Sequence, residues 1–195
     1  MMKTNSEIEK IVDEVLIKYA KQSGVYKSFH EIMKSENIKF KETSSTYNDF
    51  VGAFTKANNG QLYIIINKGI DNCGRKNFTI AHELGHYFLS HNLHNNLGFC
   101  TSQDILEEGH QKNPIEREAN YFASCLLMPE SKVKDTFSII LNRCGITNGV
   151  LTVKKDHTYK IWKMICDQLT KELGVSETAL RYRMLQLKLA KFEFE

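Results

Sequence analysis

Hydrophobic residues recur every three or four positions near the start of the chain, from Glu7 to about Ala20. This spacing places them on one face of a helix, so the segment is predicted to be an amphipathic helix that ends at Gly24. The pattern then changes, and a short helix is predicted around Phe29 to Met33. Runs of β-branched and aromatic residues follow, which are typical of strands.

Three such runs predict a small sheet, and they cover Ile38 to Phe40, Phe50 to Thr55 and Gln61 to Asn67. The residues from Asn58 to Gly60, just before the third run, are typical of a turn. The third run is almost wholly apolar from Leu62 to Ile66. Such a run favours a strand that is buried on both faces over one with a face in water.

The helical pattern returns from Asn77 to about His91. Residues 92–113 show no sustained periodicity and are predicted to form a loop with at most one helical turn; loops of this length usually carry function or mobility. A clearly delimited helix follows, because Asn113 is a suitable N-cap, Pro114 suits the first helical position, and the run closes against Pro129.

From about Ser131 the chain is predicted to continue as helices, among them Thr158 to Leu173 and Ser176 to Leu189. A length of 195 residues, with 42% hydrophobic and 25% charged residues, is that of an ordinary globular protein, and a single domain is favoured. The formal net charge of +3 is mild. It neither demands nor excludes a nucleic-acid partner.

The five cysteines are odd in number and widely spaced, and none of them forms a Cys-x-x-Cys pair. They are therefore interpreted as reduced thiols. The N-terminal segment alternates acidic and basic residues, unlike a signal peptide, and no window of the sequence is apolar enough for a membrane span. A cytoplasmic location is predicted.

The helix from Asn77 contains the stretch FTIAHELGHYFLSH, in which two histidines and a glutamate lie among apolar residues. His82 and His86 are four positions apart, so both imidazoles lie on one face of the helix and can reach one zinc ion. Glu83 is placed to contact a metal-bound water as a general base. The pattern His-Glu-x-x-His therefore predicts a catalytic zinc site, although three fixed positions in five also arise by chance.

A catalytic zinc ion takes three protein ligands, so a third must come from elsewhere in the chain. The longer pattern that ends in a third histidine is excluded, because Leu89 and Asn92 stand at its glycine and histidine positions. His91 lies about half a turn round the helix from His82. It is therefore predicted to point away from the metal.

The third ligand is predicted in the helix that follows Asn113. Glu116 is favoured, since Asn120, one turn later, could accept the free N–H of a zinc-bound histidine. Glu118 is the rival ligand. Glu116 also stands at the third position of a helix capped by Asn113, where a glutamate commonly completes a capping box, so a purely structural role is the alternative.

The stretches FTIAHELGHYFLSH and EREANYFASCLLMP together resemble the ImmA/IrrE family of zinc metallopeptidases, which pair a His-Glu-x-x-His helix with a helix carrying an EAN-x-FA motif. The resemblance covers about Leu62 to Pro129. It implies an α+β fold, with a small mixed sheet, an active-site helix bundle of the zincin type and a mainly helical C-terminal part. Residues 1–130 would form the metallopeptidase core, and residues 131–195 a helical extension packed on it as one domain.

The same resemblance implies a zinc-dependent endopeptidase that cleaves a specific protein, typically a helix-turn-helix repressor of a mobile element or a stress response. Glu83 would take a proton from the attacking water and pass it to the leaving amine. The strand from Gln61 to Asn67 is a candidate edge to which an extended substrate would add. The candidate donors to the transition state are Tyr87, His91, His110 and Tyr121.

The end of the chain resembles a helix-turn-helix, in which Gly174 ends one helix and Ser176 caps the next. The basic residues of the second helix are Arg181, Arg183 and Lys188, and its predicted core face is Tyr182, Leu185 and Leu189. Two short packed helices are common, so direct DNA contact through this tail is less favoured than a structural or partner-recognising role. The competing function for the chain is a non-catalytic regulator, or a toxin–antitoxin component, that binds a partner protein or DNA.

Overall fold

The computed structural model describes residues 2–19, 25–45, 49–91, 97–101, 104, 113–147 and 149–193. Within these residues the α-helices are α1 (Asn5–Tyr19), α2 (Phe29–Ser35), α3 (Cys73–Phe88), α4 (Pro114–Leu127), α5 (Glu130–Arg143), α6 (His157–Leu173) and α7 (Glu177–Gln186). The strands in the same residues are β1 (Ile38–Thr43), β2 (Phe50–Lys56), β3 (Leu62–Asn67), β4 (Leu97–Thr101), β5 (Leu151–Val153) and β6 (Ala190–Phe192). The predicted α+β class is confirmed.

Helices α1 and α2 lie where the spacing of apolar residues predicts them. Helix α1 begins with a capping box formed by Thr4 and Glu7. The amide and hydroxyl of Thr4 donate to the carboxylate of Glu7, and the amide of Glu7 donates to the Thr4 hydroxyl. Gly24, the predicted end of the first helix, lies outside the described residues.

Strands β1 to β4 form one mixed sheet in the order β1-β3-β2-β4. Strand β1 runs parallel to β3, and β2 runs antiparallel to both of its neighbours. Strand β3 is therefore paired on both sides, and the prediction that Gln61 to Asn67 offers an edge to a substrate is wrong. Strand β4 was missed, because it is a short segment containing a glycine within a stretch that reads as a loop.

The prediction that β3 is buried on both faces is also wrong. Ile64 and Ile66 are fully buried on the face that α3 covers, whereas Tyr63 and Ile65 alternate with them and stay partly exposed. The ammonium of Lys41 lies 4.9 Å from the centroid of the Tyr63 ring, so a long side chain from β1 covers part of this outer face. The run from Leu62 to Ile66 is therefore apolar on both faces although only one face is fully buried.

The part of the chain after residue 130 is mainly helical, as predicted, but it also contains β5 and β6. These two strands pair in parallel from Leu151–Ala190 to Val153–Phe192. Each has three residues, too few to produce an alternating pattern in the sequence. Gly174 ends α6 with φ +64°, and the Ser176 hydroxyl caps α7 by accepting from the amide of Ala179, as predicted.

The predicted core face of α7 is wrong. Leu185 is exposed and Tyr182 and Leu189 are half-buried, whereas the buried positions of the helix are Leu180, Arg183 and Met184. Only 2% of the surface of Arg183 is exposed to solvent, and its Nε donates to the carbonyl oxygen of Met128 at 3.0 Å. This guanidinium therefore donates to a carbonyl at the C-terminal end of α4 and is not exposed at the surface.

The hydrophobic core contains side chains from both sides of residue 130 in one cluster, including Ile8, Leu126, Trp162 and Met184. The division of the chain at residue 130 stays a prediction. Helix α3 packs in the middle of this core, between α4 and the covered face of β2 and β3. None of the helices in the described part of the chain is both long and apolar enough to cross a membrane.

Candidate metal centre

The two helices that carry the predicted site begin with strong local signals. The side chain of Asn72 caps α3 by accepting from the amide of Arg75. The side chain of Asn113 caps α4 by accepting from the amide of Ile115, and Pro114 takes the first helical position, as predicted. Both helix starts are therefore fixed by side-chain caps.

Helices α3 and α4 approach each other closely at Gly85. A Cβ atom at this glycine would lie 3.1 Å from the carbonyl oxygen of Ala119 and 3.2 Å from its Cα. A larger side chain would therefore push on the backbone of α4, which yields less easily than a flexible side chain. This contact brings the first turn of α4 to the histidines of α3.

Three side chains converge where the two helices meet. The Oε2 atom of Glu116 lies 3.0 Å from Nε2 of His82 and 3.3 Å from Nε2 of His86, and the two Nε2 atoms are 3.0 Å apart. Both imidazoles are buried. The structure thus brings together His82, His86 and Glu116, the residues that the sequence selects as metal ligands, and it directs the Glu116 carboxylate at the histidines.

Asn120 fixes the orientation of the first histidine. Its Oδ1 atom lies 2.8 Å from Nδ1 of His82, and its Nδ2 donates to the carbonyl oxygen of Asp104 at 2.6 Å. The amide oxygen can therefore only accept, so Nδ1 of His82 carries the proton in the neutral ring. Its Nε2 then presents a lone pair to Glu116 and His86.

A cation fits this arrangement. Unprotonated imidazole nitrogens and a carboxylate oxygen that face one another at about 3 Å repel unless a proton or a cation lies between them. The Oε2 atom of Glu116 is buried and accepts no well-formed hydrogen bond within the described residues. Two imidazoles and one carboxylate are a typical ligand set for catalytic zinc, which keeps a fourth position for water.

A family comparison agrees with this geometry. The model of the IrrE N-terminal-like domain, Peptidase_M78, matches residues 33–185, a range that includes both helices of the site. The chain belongs to this family. The resemblance read from the two motifs is thereby confirmed, and the M78 domain is of the zincin-like metallopeptidase type. A comparison with curated proteins finds no match.

The charges of the three clustered residues depend on one another in this M78 domain. Burial lowers the pKa of His86 to about 4 and keeps that ring neutral. Burial also opposes ionisation of Glu116, but the close contacts of its carboxylate with His82 and His86 outweigh burial and hold the pKa of the carboxyl well below its usual range. Burial favours a neutral His82, but the Glu116 contact and the charge of Glu83 raise its pKa. Within the cluster, the Glu116 carboxyl is therefore ionised and the His86 ring is neutral.

Glu83 of the M78 domain is fully buried beside the cluster. Neither of its carboxylate oxygens accepts a well-formed hydrogen bond within the described residues, although the amide of Phe54 and the thiol of Cys100 approach it. Burial raises the pKa of Glu83 to about 8. A carboxylate with so little support is suited to exchange a proton with a bound molecule.

Space for Glu83 comes from a glycine that the sequence reading missed. A Cβ atom on Gly52 of β2 would lie 2.9 Å from Oε1 of Glu83 and 2.7 Å from Cγ2 of Thr79. Strand β2 can therefore pack this closely against α3 only because Gly52 has no side chain. A glycine inside a strand does signal a bulge or a close approach, but it does not say to which partner.

A second group of side chains shares part of this site. Ligand atoms of His82, Glu83 and Cys100 lie within 4.8 Å of one another, and all three residues are buried. Burial raises the pKa of the Cys100 thiol well above its usual range, so the sulfur is protonated. The set with Glu116 is the better metal site, because its carboxylate is ionised and its two imidazoles already face it.

His91 lies beside the site, and the prediction that it points away is wrong. Helix α3 ends at Phe88, and Ser90 adopts a positive φ of 56°, which turns the chain back. Nδ1 of His91 thereby comes within 3.0 Å of Nδ1 of His86, and its Nε2 lies 3.2 Å from Oε2 of Glu118. Glu118, the rival ligand, is therefore held away from the three clustered residues.

The other candidate donors to a transition state have partners elsewhere. The hydroxyl of Tyr87 donates to Glu36 at 2.7 Å, and that of Tyr121 donates to Glu9. His110 lies outside the described residues.

Proposed function

We propose that this chain is a zinc-dependent endopeptidase that cleaves a specific protein in the cytoplasm. The observation that carries the proposal is the position of Glu83, buried without a well-formed hydrogen bond next to three converging ligand atoms. A structural cluster would have no use for an unsupported carboxylate, since burying one costs free energy. A hydrolytic site needs such a group at this place.

The donor set favours zinc among the divalent ions. His82 and His86 supply nitrogen and Glu116 supplies oxygen, a combination common in zinc hydrolases and foreign to the all-oxygen sites of calcium and magnesium. When bound, zinc would polarise the scissile carbonyl and acidify water. The free cysteines of the described residues fit the reducing conditions of the cytoplasm.

The residues of the chain account for the remaining steps. Asn120 holds the Nδ1 proton of His82, so that ring keeps its Nε2 lone pair directed at the cluster. Glu83 accepts a proton from the attacking water on one carboxylate oxygen and later returns it to the nitrogen of the leaving amine. A divalent cation held by His82, His86 and Glu116 would favour the ionised form of Glu83, the form that can accept that proton.

The substrate that we propose is a helix-turn-helix repressor of a mobile element or a stress response. Support comes from the resemblance of the two motif helices to the ImmA/IrrE family, and from membership of the M78 family. A repressor encoded next to the gene for this chain is the first substrate to test.

The test combines metal analysis with a cleavage assay on that repressor. We expect the purified protein to hold about one zinc per chain and to cut the repressor. Glu83→Gln should keep the zinc and lose cleavage, whereas Glu116→Gln should lose both. Glu31→Gln, which changes an exposed glutamate of α2, is the matched control and should behave like the wild type.

Two outcomes would contradict the proposal. Cleavage that persists in Glu83→Gln would exclude the base assigned here. A wild-type protein that binds the repressor or its DNA with zinc in place, and cuts neither, would favour the competing function of a non-catalytic regulator.

A further inference from the structure

A chain of hydrogen bonds leads from His86 away from the clustered ligand atoms. Its members are His86, His91 and Glu118, joined by the Nδ1–Nδ1 contact of 3.0 Å and the Nε2–Oε2 contact of 3.2 Å. The side chains of His91 and Glu118 are only 6% and 8% exposed. Buried polar groups are kept in hydrogen bonds, and these three satisfy one another.

The donor and acceptor roles in this chain of hydrogen bonds are fixed at its Glu118 end. The other oxygen of Glu118, Oε1, accepts from the backbone amide of Lys3 at 2.8 Å. The carboxylate oxygens of Glu118 act as acceptors, so His91 donates to Oε2 from Nε2 and carries its proton there. Nδ1 of His91 then has a lone pair and accepts from Nδ1 of His86. The Nε2 atom of His86 is left with a lone pair that faces His82 and Glu116.

The donor to Glu118 Oε1, the backbone amide of Lys3, belongs to the N-terminal segment of the chain; we call this contact the Lys3 anchor. Lys3 and all of α1 lie before residue 33, where the match to the M78 family begins. The ammonium of Lys3 also donates to the carbonyl of Leu89 at 2.6 Å, at the C-terminal end of α3. This bond holds the turn that carries His91. Lys3 thus contacts Glu118 directly and holds the turn before His91.

We propose that His91 and Glu118, anchored by Lys3, are positioning residues that hold His86 in the orientation and tautomer that bind the metal, and that they thereby set the metal affinity of the site. The inference rests on the metal site of the proposed function. Groups that orient a metal-bound histidine typically change metal affinity by 10- to 100-fold when they are removed. Asn120 does the same for His82, so each histidine has its own support.

The first test measures zinc affinity directly, by competition between the metal-free full-length protein and a chromogenic chelator. We expect His91→Phe and Glu118→Gln to bind zinc roughly 10- to 100-fold more weakly than the wild type. His30→Phe changes an exposed histidine of α2 and should bind like the wild type. Wild-type affinity in both His91→Phe and Glu118→Gln would overturn the proposal.

A spectroscopic readout separates positioning from a general loss of structure. The visible absorption of the Co²⁺-loaded protein reports the geometry of the ligands around the metal. In both variants we expect altered bands, with the far-ultraviolet circular dichroism of the metal-free protein unchanged. If His91→Phe does not fold, Glu118→Gln, which keeps the size of the side chain, decides the question. Unaltered Co²⁺ bands would overturn the assignment.

The anchor is tested by a pair of variants at one position. Lys3→Ala keeps the backbone amide that donates to Glu118, whereas Lys3→Pro removes it, and both lose the ammonium. We expect zinc binding to be weaker in Lys3→Pro than in Lys3→Ala, and equal affinities would overturn the role of the anchor.

A wild-type protein that binds no zinc would overturn the proposed function itself, whereas tight wild-type binding with unaffected variants would overturn only the positioning role.

Discussion

Glu83 shows how a site residue differs from a core residue of the same helix. Its neighbours Ala81 and Leu84 are buried and apolar, which stabilises the fold. Glu83 is equally buried, yet its carboxyl group gains no well-formed hydrogen bond that would offset the loss of hydration. The fold therefore loses stability at this residue, and the loss depends on the charge of the carboxyl group.

The first prediction concerns this cost in the metal-free protein. The folded pKa of Glu83 is about 8, against an ordinary value of 4.5. Between these values the folded state keeps a proton that the unfolded state releases, so stability falls as pH rises from 4.5 to 8 and levels off above 8. Glu83→Gln removes this titration and should stabilise the metal-free protein by about 3 kcal/mol at pH 7.

The measurement is urea unfolding in the presence of a chelator. The gain from Glu83→Gln should be small near pH 5 and largest near pH 8. The exposed control Glu31→Gln should give no such trend. A gain that is the same at both pH values would show that Glu83 keeps an ordinary pKa.

The second prediction concerns Gly52. A methyl group there meets Thr79 and Glu83 at distances below 3.0 Å, so either β2 or α3 must shift. Gly52→Ala should lower stability by about 1–3 kcal/mol, and it should reduce kcat for repressor cleavage while zinc remains bound. Gly69→Ala is the matched control, because a Cβ atom there first meets the Asn67 side chain at 3.4 Å. Wild-type kcat in Gly52→Ala would show that the position of Glu83 does not depend on this glycine.

Individual elements were predictable where the decisive signals are local. The caps at Asn113 and Ser176, and the C-terminal glycine at Gly174, are short-range features, and the structure has them at these residues. The spacing of His82 and His86 on one helix face is likewise a local property. Glu116 was favoured as the third ligand because Asn120 lies one turn later on the same helix, and the resemblance of the two motif stretches to one family supported the pairing of the two helices.

Features that depend on distant parts of the chain were not predictable. The apolar run in β3 does not reveal that β1 and β2 occupy both of its edges, since strand pairing is set by topology. His91 was placed by extending an ideal helix, whereas the positive φ of Ser90 ends that helix and reverses the chain. Arg183 reads as a surface charge, because its partner, the Met128 carbonyl, lies 55 residues earlier.

Arg183 supplies the third prediction, at the scale of helix packing. Its guanidinium contacts the Met128 carbonyl, Cys125 and Gln186, and so joins α7 to the end of α4. Arg183→Met keeps an aliphatic side chain but leaves the buried carbonyl without its donor. The free energy of unfolding should fall by about 1.5–3 kcal/mol, measured by urea unfolding.

Lys188→Met is the control for this change, since Lys188 is exposed beyond the end of α7. Its effect on stability should be within about 0.5 kcal/mol. Equal stability of the two variants would show that Arg183 is not needed to join the helices. Zinc affinity should be unchanged in both, because neither residue touches the ligand cluster.

At the scale of the whole molecule, the candidate metal site connects parts of the chain that are far apart in sequence. Two candidate ligands lie on α3 and the third lies on α4, while hydrogen bonds connect Lys3 at the N-terminal end to His86 through Glu118 and His91. The two helices lie in the middle of the core, between the sheet and α1. A metal that binds only when these elements are assembled therefore stabilises the folded state as a whole.

The last prediction measures this coupling by removing the metal. A ligand that binds only the folded state stabilises it by about 2.7 kcal/mol when its free concentration is about 100 times Kd. For a domain of this size, each kcal/mol shifts Tm by about 2–4 °C, so chelation should lower Tm by about 5–10 °C. Glu83→Gln should keep this zinc-dependent shift, because it retains all three ligands, whereas Glu116→Gln should lose it. A wild-type Tm that is the same in chelator and in excess zinc would mean that the three side chains meet without holding a metal between α3 and α4.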